Sequence, residues 1–340
     1  MLTVVICAMI IALLFDFLNG MNDAANSIAT IVATKVLSPV TAVCWAAFWN
    51  FAAVFIFGVS VATTIGKGIV DPGIVNEYVI LSALIGATLW VWVCTHLGFP
   101  ISVSHALIGG LIGPVWFVYG TSYLIGTGIF KIALFIILSP LIGLILGFIM
   151  MCITMFLWRK TVPLKVDHIF RKIQLLSSAV FSLGHGANDA QKTMGVIAVL
   201  LFSVKGNTFV ENYLYDFSLG FHVPTWLIFT CYGTIALGTL IGGRKVIKTL
   251  GDGLAKLKPV QGFCAETAGA LTLIGTAVCG IPVSTTHTVT GAIVGVGMTK
   301  GIHEVKWGTA TKIVWAWVFT IPASLIISGL LYCLFYYFIK

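Results

Sequence analysis

Twice in this chain a Gly-x-Asn-Asp quartet stands inside a long apolar run: Gly20-Met21-Asn22-Asp23, followed by Ala24-Ala25-Asn26-Ser27, and Gly186-Ala187-Asn188-Asp189, followed by Ala190-Gln191-Lys192-Thr193. Asp23 and Asp189 supply charge, and Asn22, Asn26 and Asn188 supply neutral oxygens. That set suits a hard cation such as sodium, bound at Asp23 and Asp189, or a proton; an iron or copper centre would draw on more His and Cys. A second pair of motifs has the opposite chemistry. Pro100-Ile101-Ser102-Val103-Ser104-His105 and Pro282-Val283-Ser284-Thr285-Thr286-His287 place hydroxyls beside a proline that favours a helix start, where free N–H groups and the helix dipole attract an anion. Ser102, Ser104, Ser284, Thr285 and Thr286 are the expected anion ligands. His105, His287 and His185 either touch the anion or orient what does. Helix capping alone accounts for any one of these segments. It accounts less well for their duplication, because a carboxylate at membrane depth costs roughly 2.5–3.5 kcal/mol even on lenient scales.

The elements around them belong to a membrane protein. Of 340 residues, 59% are hydrophobic and 9% charged, and the mean hydropathy is +1.06. Apolar runs at residues 4–15, 40–61, 79–93, 129–156, 226–241 and 313–337 reach or approach spanning length. The first run lacks a basic leader and a small-residue cleavage site, and reads as a retained helix. Eight cysteines lie singly in apolar surroundings without a Cys-x-x-Cys spacing, as packing residues do.

The net charge of +8 suggests anionic partners, but nucleic acid is excluded by position, because the basic residues gather in short loops. Arg159, Lys160, Lys165, Arg171 and Lys172 crowd a central loop, and Arg244, Lys245, Lys248, Lys256 and Lys258 a later one; both read as cytoplasmic. Residues 203–223 carry Lys205 against Glu211 and Asp216 and suit the opposite side.

Landmarks recur in order along the chain. Asp23 and Asp189 stand 166 positions apart, His105 and His287 182 apart, and between them residues 58–68 share five identities with residues 243–253. Five crossings per half then make the halves inverted, with both termini outside and nearly all loop Lys and Arg inside. The expected fold is an all-α polytopic membrane protein: two inverted-topology repeats with broken helices and re-entrant segments, and about ten or more transmembrane segments. Its parts are a first repeat at 1–158, a basic cytoplasmic connector at 159–172 and a second repeat at 173–340. Such repeats build secondary transporters around a midplane site, and the Asn-Asp motifs read as helix breaks that would form it. A membrane-embedded hydrolase using Asp189, His185 and His287, or a passive anion channel, would not require the duplication.

At these residues the chain resembles the inorganic phosphate transporter (PiT) family. The likeness rests on residues 15–27, on Gly184-His185-Gly186-Ala187-Asn188-Asp189 through Gly195, and on Ala265-Glu266-Thr267 leading into Gly280 to His287. It implies phosphate uptake coupled to sodium or protons with no other cofactor, a homodimer, cation binding at the Asn-Asp pairs, phosphate binding at the Pro-containing turns and a transport-critical carboxylate at Glu266. Asn50 stands where many sodium-coupled relatives have glutamate, Met21 replaces the signature alanine, and Val103 stands opposite Thr285. The coupling ion is therefore open between sodium and protons, and the two turns cannot bind an anion identically. The short central loop points to a bacterial or archaeal plasma membrane, such as a bacterial inner membrane. Some relatives carry sulfate, so a sulfate permease is the alternative.

Overall fold

The computed structural model describes residues 2–251 and 254–339. Its helices are α1 (Leu2–Ala33), α2 (Pro39–Ala52), α3 (Ser60–Gly68), α4 (Glu77–Leu97), α5 (Val103–Tyr119), α6 (Gly126–Trp158), α7 (Pro163–Ser203), α8 (Thr208–Tyr213), α9 (Thr225–Ile241), α10 (Arg244–Gly251), α11 (Pro259–Val278), α12 (Thr285–Met298) and α13 (Trp307–Ile339). Among the described residues, strand pairing is limited to an isolated bridge between Val70 and Leu124.

By length and apolarity α1, α4, α6 and α13 can each cross a membrane. Two further spans arise if the bent pairs α2–α3 (84°) and α9–α10 (78°) each count as one. This count of up to six sits below the ten or more read from the sequence. Helix α7 is continuous, but its apolar sequence is broken by Asn188, Asp189, Gln191 and Lys192, and α5 and α12 have only 17 and 14 residues. Of the basic connector only residues 159–162 are non-helical; residues 163–172 form the opening turns of α7.

The Asn-Asp motifs do not break their helices. Helix α1 runs without interruption from Leu2 to Ala33 and α7 from Pro163 to Ser203, which corrects the expectation of a break at each motif. Their glycines serve close approach instead. A Cβ on Gly20 would fall on the Ile235 carbonyl oxygen of α9, and one on Gly186 on the Asn50 carbonyl oxygen of α2. The chain breaks at the proline turns. Gly98 (φ 81°) and Gly280 (φ 64°) take the left-handed conformation that ends α4 and α11. Pro100 and Pro282 follow, and Ser102 and Ser284 cap α5 and α12 by accepting the amides of His105 and His287.

Packing is reciprocal across the chain. Helix α5 lies on α13 and α12 on α6; α1 contacts α4 and α9, and α7 contacts α11 and α2; α3 rests on α7 and α10 on α1. Small residues allow the closest crossings, as expected where lipid supplies no hydrophobic drive between helices. Gly291 and Gly295 of α12 face the carbonyls of Pro140 and Leu144, while Gly143 and Gly147 of α6 face Thr288 and Ala292 in return. Gly109 and Gly113 of α5 meet the carbonyls of Ile321 and Leu325 on α13.

Lys35, Arg171 and Lys258, from three separate parts of the chain, line one cavity. Arg171 donates to the Lys35 carbonyl (3.0 Å), joining the loop after α1 to the start of α7, and the Lys306 amide donates to the Leu254 carbonyl (2.9 Å). The segments at 69–71 and 123–125, which pair through Ile125 N–H to the Ile69 carbonyl and Asp71 N–H to the Tyr123 carbonyl, form a different, charge-poor edge.

Candidate functional site

The two proline turns meet, tip to tip, beside the middles of α1 and α7. The Thr286 hydroxyl donates to the Ile101 carbonyl at 3.0 Å, and the rings of His105 and His287 contact edge to face at 4.6 Å between centroids. Trp317 of α13 braces both turns: it stacks on His287 at 3.7 Å and donates to the Pro100 carbonyl. Each turn is thus held by the opposite half of the chain.

Around this junction the carboxylates converge. Ligand atoms of Asp23, His185 and Asp189 lie within 4.8 Å of one another, and all three residues are buried. The Thr285 hydroxyl sits between the two aspartates, 3.2 Å from Asp23 Oδ2 and 3.1 Å from Asp189 Oδ2. Thr286 reaches Asp23 Oδ1 at 3.4 Å. Asn26 Nδ2 donates to both threonines, at 3.2 and 3.0 Å. Lys192 lies at the centre: its ammonium donates to Asp189 Oδ1, to the Ser104 hydroxyl and to the Val283 carbonyl. Six residues of the sequence-derived set (Asp23, Asn26, Ser104, Asp189, Thr285 and Thr286) therefore form one contiguous cluster with Lys192.

The others take different positions. Ser102 and Ser284 are turned to their own helix starts as caps. Asn22 donates to Thr95 (2.9 Å), and Asn188 to the carbonyls of Gly184 and Leu273. Asn50 donates to Thr239 and faces His185 Nδ1 at 3.1 Å, while the other ring nitrogen, Nε2, lies 3.1 Å from Asp189 Oδ2, so Asn50 reaches the cluster through His185. Glu266 stands apart. On α11 it accepts from Thr30 (2.6 Å), Gln174 (2.9 Å) and Ser177, and Thr34 donates to Gln174 Oε1 (2.9 Å).

One helix links these groups. Asp16, Asn19, Asp23, Asn26 and Thr30 recur every three or four residues on α1, and Thr34 continues the spacing just past its end; all are buried, which makes a polar stripe on one face. Asp16 and Asn19 escaped the sequence reading, although the same spacing marks them; Asp16 accepts from Thr193 of α7 (2.9 Å). Oxygens of Asp16, Asn19, Asn22, Asn26 and Asn188 are buried without a hydrogen-bond partner. Buried polar atoms are normally satisfied, so this concentration of free acceptor oxygens suits cations with oxygen ligands. At its far end the stripe reaches a cavity of about 680 Å³, lined by Thr34 and rimmed by Lys35, Asp167, Arg171 and Lys258.

Comparison with known proteins places these residues in a wider set. The Phosphate transporter family matches residues 19–328. The chain is 51% identical over 322 residues to a Rhizobium meliloti protein named "Probable low-affinity inorganic phosphate transporter", covering 95% of this chain and 93% of that one. A Bacillus subtilis protein of the same name is 39% identical, with 98% and 97% covered. Among solved structures, one titled "The sodium-dependent phosphate transporter" superposes with a TM-score of 0.85 at 26% identity, covering 98% of this chain and 99% of the other.

Proposed function

Because the chain belongs to the phosphate transporter family, we propose that it is a secondary active phosphate importer, driven by a sodium or proton gradient and working by alternating access around the cluster of Asp23, Asp189, Lys192, Thr285 and Thr286. The observation that carries this reading is the charge of the cluster. Two buried carboxyl groups face one ammonium, so one carboxyl stands without a counter-cation before any anion arrives. Two like charges 4 Å apart repel by about 4 kcal/mol at an effective dielectric near 20. Phosphate therefore enters favourably only together with cations, and that requirement is coupling.

The hydroxyls make the exchange workable. Thr285 and Thr286 now donate to the carboxylates; a cation bound against this carboxylate pair would release those donors, with Ser104, to the phosphate oxygens. Asn22, Asn26 and Asn188 complete the cation shells, and Ser102 and Ser284 hold the two helix starts whose free amides face the anion. His105 and His287 orient the turns, and Asn50 positions His185. The stripe from Asp23 through Thr30 and Glu266 to Thr34 is the polar route to the basic, cytoplasmic face.

The reciprocal contacts support an inverted repeat. Exchanging α1–α6 for α7 and α9–α13 turns the α5–α13 contact into α12–α6, α1–α4 into α7–α11, and α3–α7 into α10–α1. We place the protein in the plasma membrane as a homodimer, on the family resemblance.

The test is radiolabelled phosphate uptake into proteoliposomes, with inward sodium and proton gradients imposed separately and sulfate as competitor. Accumulation driven by one gradient and resistant to sulfate is expected. Equilibration that ignores both gradients would mean a channel, and strong sulfate competition a sulfate permease.

A further inference from the structure

The two Asn-Asp motifs are not equivalent three residues on: the first has Asn26 after Asp23, and the second, at the matching position, has Lys192 after Asp189. We infer that the Lys192 ammonium is a resident cation that permanently fills the cation position of the second half, leaving the exchangeable monovalent cation to the Asp23 side alone. The inference rests on the transporter reading above.

Geometry distinguishes the halves. Each residue at the matching position reaches the opposite half's proline turn: Asn26 of α1 donates to Thr285 and Thr286, and Lys192 of α7 donates to Ser104. They are counterparts in place as well as in sequence. The ammonium of Lys192, however, is surrounded by oxygens alone, from Asp189, Ser104 and the Val283 carbonyl, the ligand types a bound alkali cation takes. Lys192 is fully buried, so its charge is confined there. The Asp23 side is the reverse. Among the described residues Asp23 forms no salt bridge, in contrast to Asp189 with Lys192, while Asn22 and Asn26 keep carbonyl oxygens buried and unpartnered. Asn188 of the second half also keeps an unpartnered oxygen, but the carboxylate beside it already holds the Lys192 ammonium, whereas the vacant acceptors of the first half stand beside a carboxylate with no salt-bridge partner among the described residues.

The consequence is stoichiometric. With the full-length protein in proteoliposomes, initial phosphate uptake is measured against the concentration of the driving cation, and the charge moved per phosphate is read from the reversal potential. The wild type is expected to depend on the first power of that cation. Lys192→Asn, which gives α7 the amide that α1 already has, is expected to raise the order from one to two and the charge moved per phosphate by one. Lys192→Met, with neither ammonium nor ligand oxygen, is expected to lose at least tenfold in coupled uptake while remaining monodisperse in detergent. A second-order wild type overturns the inference without any variant, as does an active Lys192→Asn protein that stays first order or a Lys192→Met protein that transports normally. A wild type that moves no phosphate under either gradient would overturn the functional reading itself, and this inference with it.

Discussion

At the scale of single residues, the hydroxyl of Thr285 is the most exposed to test, because it touches both aspartates and Asn26 at once. Thr285→Val keeps the volume and removes the hydroxyl. A hydrogen bond to a charged group is worth about 1.5–3 kcal/mol, so the KM for phosphate should rise about tenfold or more with the protein still correctly inserted; an unchanged KM in an uptake assay would remove Thr285 from the anion site. Glu266 offers a stability test. Thr30, Gln174 and Ser177 all donate to it, and Glu266→Ala leaves those donors without an acceptor at a cost of about 1–3 kcal/mol, readable as a lower midpoint of thermal unfolding in detergent. The motif aspartates and Thr285 were legible from residue type and duplication. The partners of Glu266 were not, since Thr30, Gln174 and Ser177 come from distant parts of the chain and are unremarkable as types.

At the scale of helices, glycine carries the packing. Gly295 of α12 faces the Leu144 carbonyl with no room for a Cβ. Gly295→Leu must push α12 from α6, and overpacking of this kind costs about 1–3 kcal/mol or more, so expression of folded protein, measured by size-exclusion chromatography, should fall; a normal monodisperse yield would mean that the crossing is looser than the structure has it. The loop before α9 gives a pH-dependent element. The Ser218 hydroxyl and amide donate to Asp216 and hold its carboxyl below the usual carboxylate range. Its folded value is depressed, so the turn is held at neutral pH and released as pH falls below the ordinary aspartate range near 3.9. The protection of amides 216–220 against hydrogen exchange, relative to their intrinsic rates, should fall there in the wild type and already be low at pH 7 in Asp216→Ala. The sequence suggested that the Asn-Asp motifs break their helices, because Gly and Asn have poor helix propensity. Tertiary packing overrode propensity: Gly20 and Gly186 are fixed by neighbouring carbonyls, and the helices continue through them.

At the scale of the whole molecule, charge bias and reciprocal contacts define the orientation. Lys35, Arg171 and Lys258 line one cavity, and the positive-inside rule predicts that this basic face is cytoplasmic. A protease site inserted at residues 205–207 should be cut in right-side-out spheroplasts, and one at residues 159–162 only in inverted vesicles. Cleavage of both from the same side would overturn the parity of five crossings per half.

The sequence by itself determined that this is a membrane protein and which residue types supply carboxylates and hydroxyls. Those properties follow from composition, charge position and repetition, all local to the chain. Tertiary structure decided which of them meet. Ser102 and Ser284 look like anion ligands in sequence and serve as caps, because the nearest free N–H groups are those of their own helices. Lys192 became central for the converse reason. Its charge is buried, and only folding brings Asp189, Ser104 and the Val283 carbonyl together around it, since they lie on three separate segments of the chain.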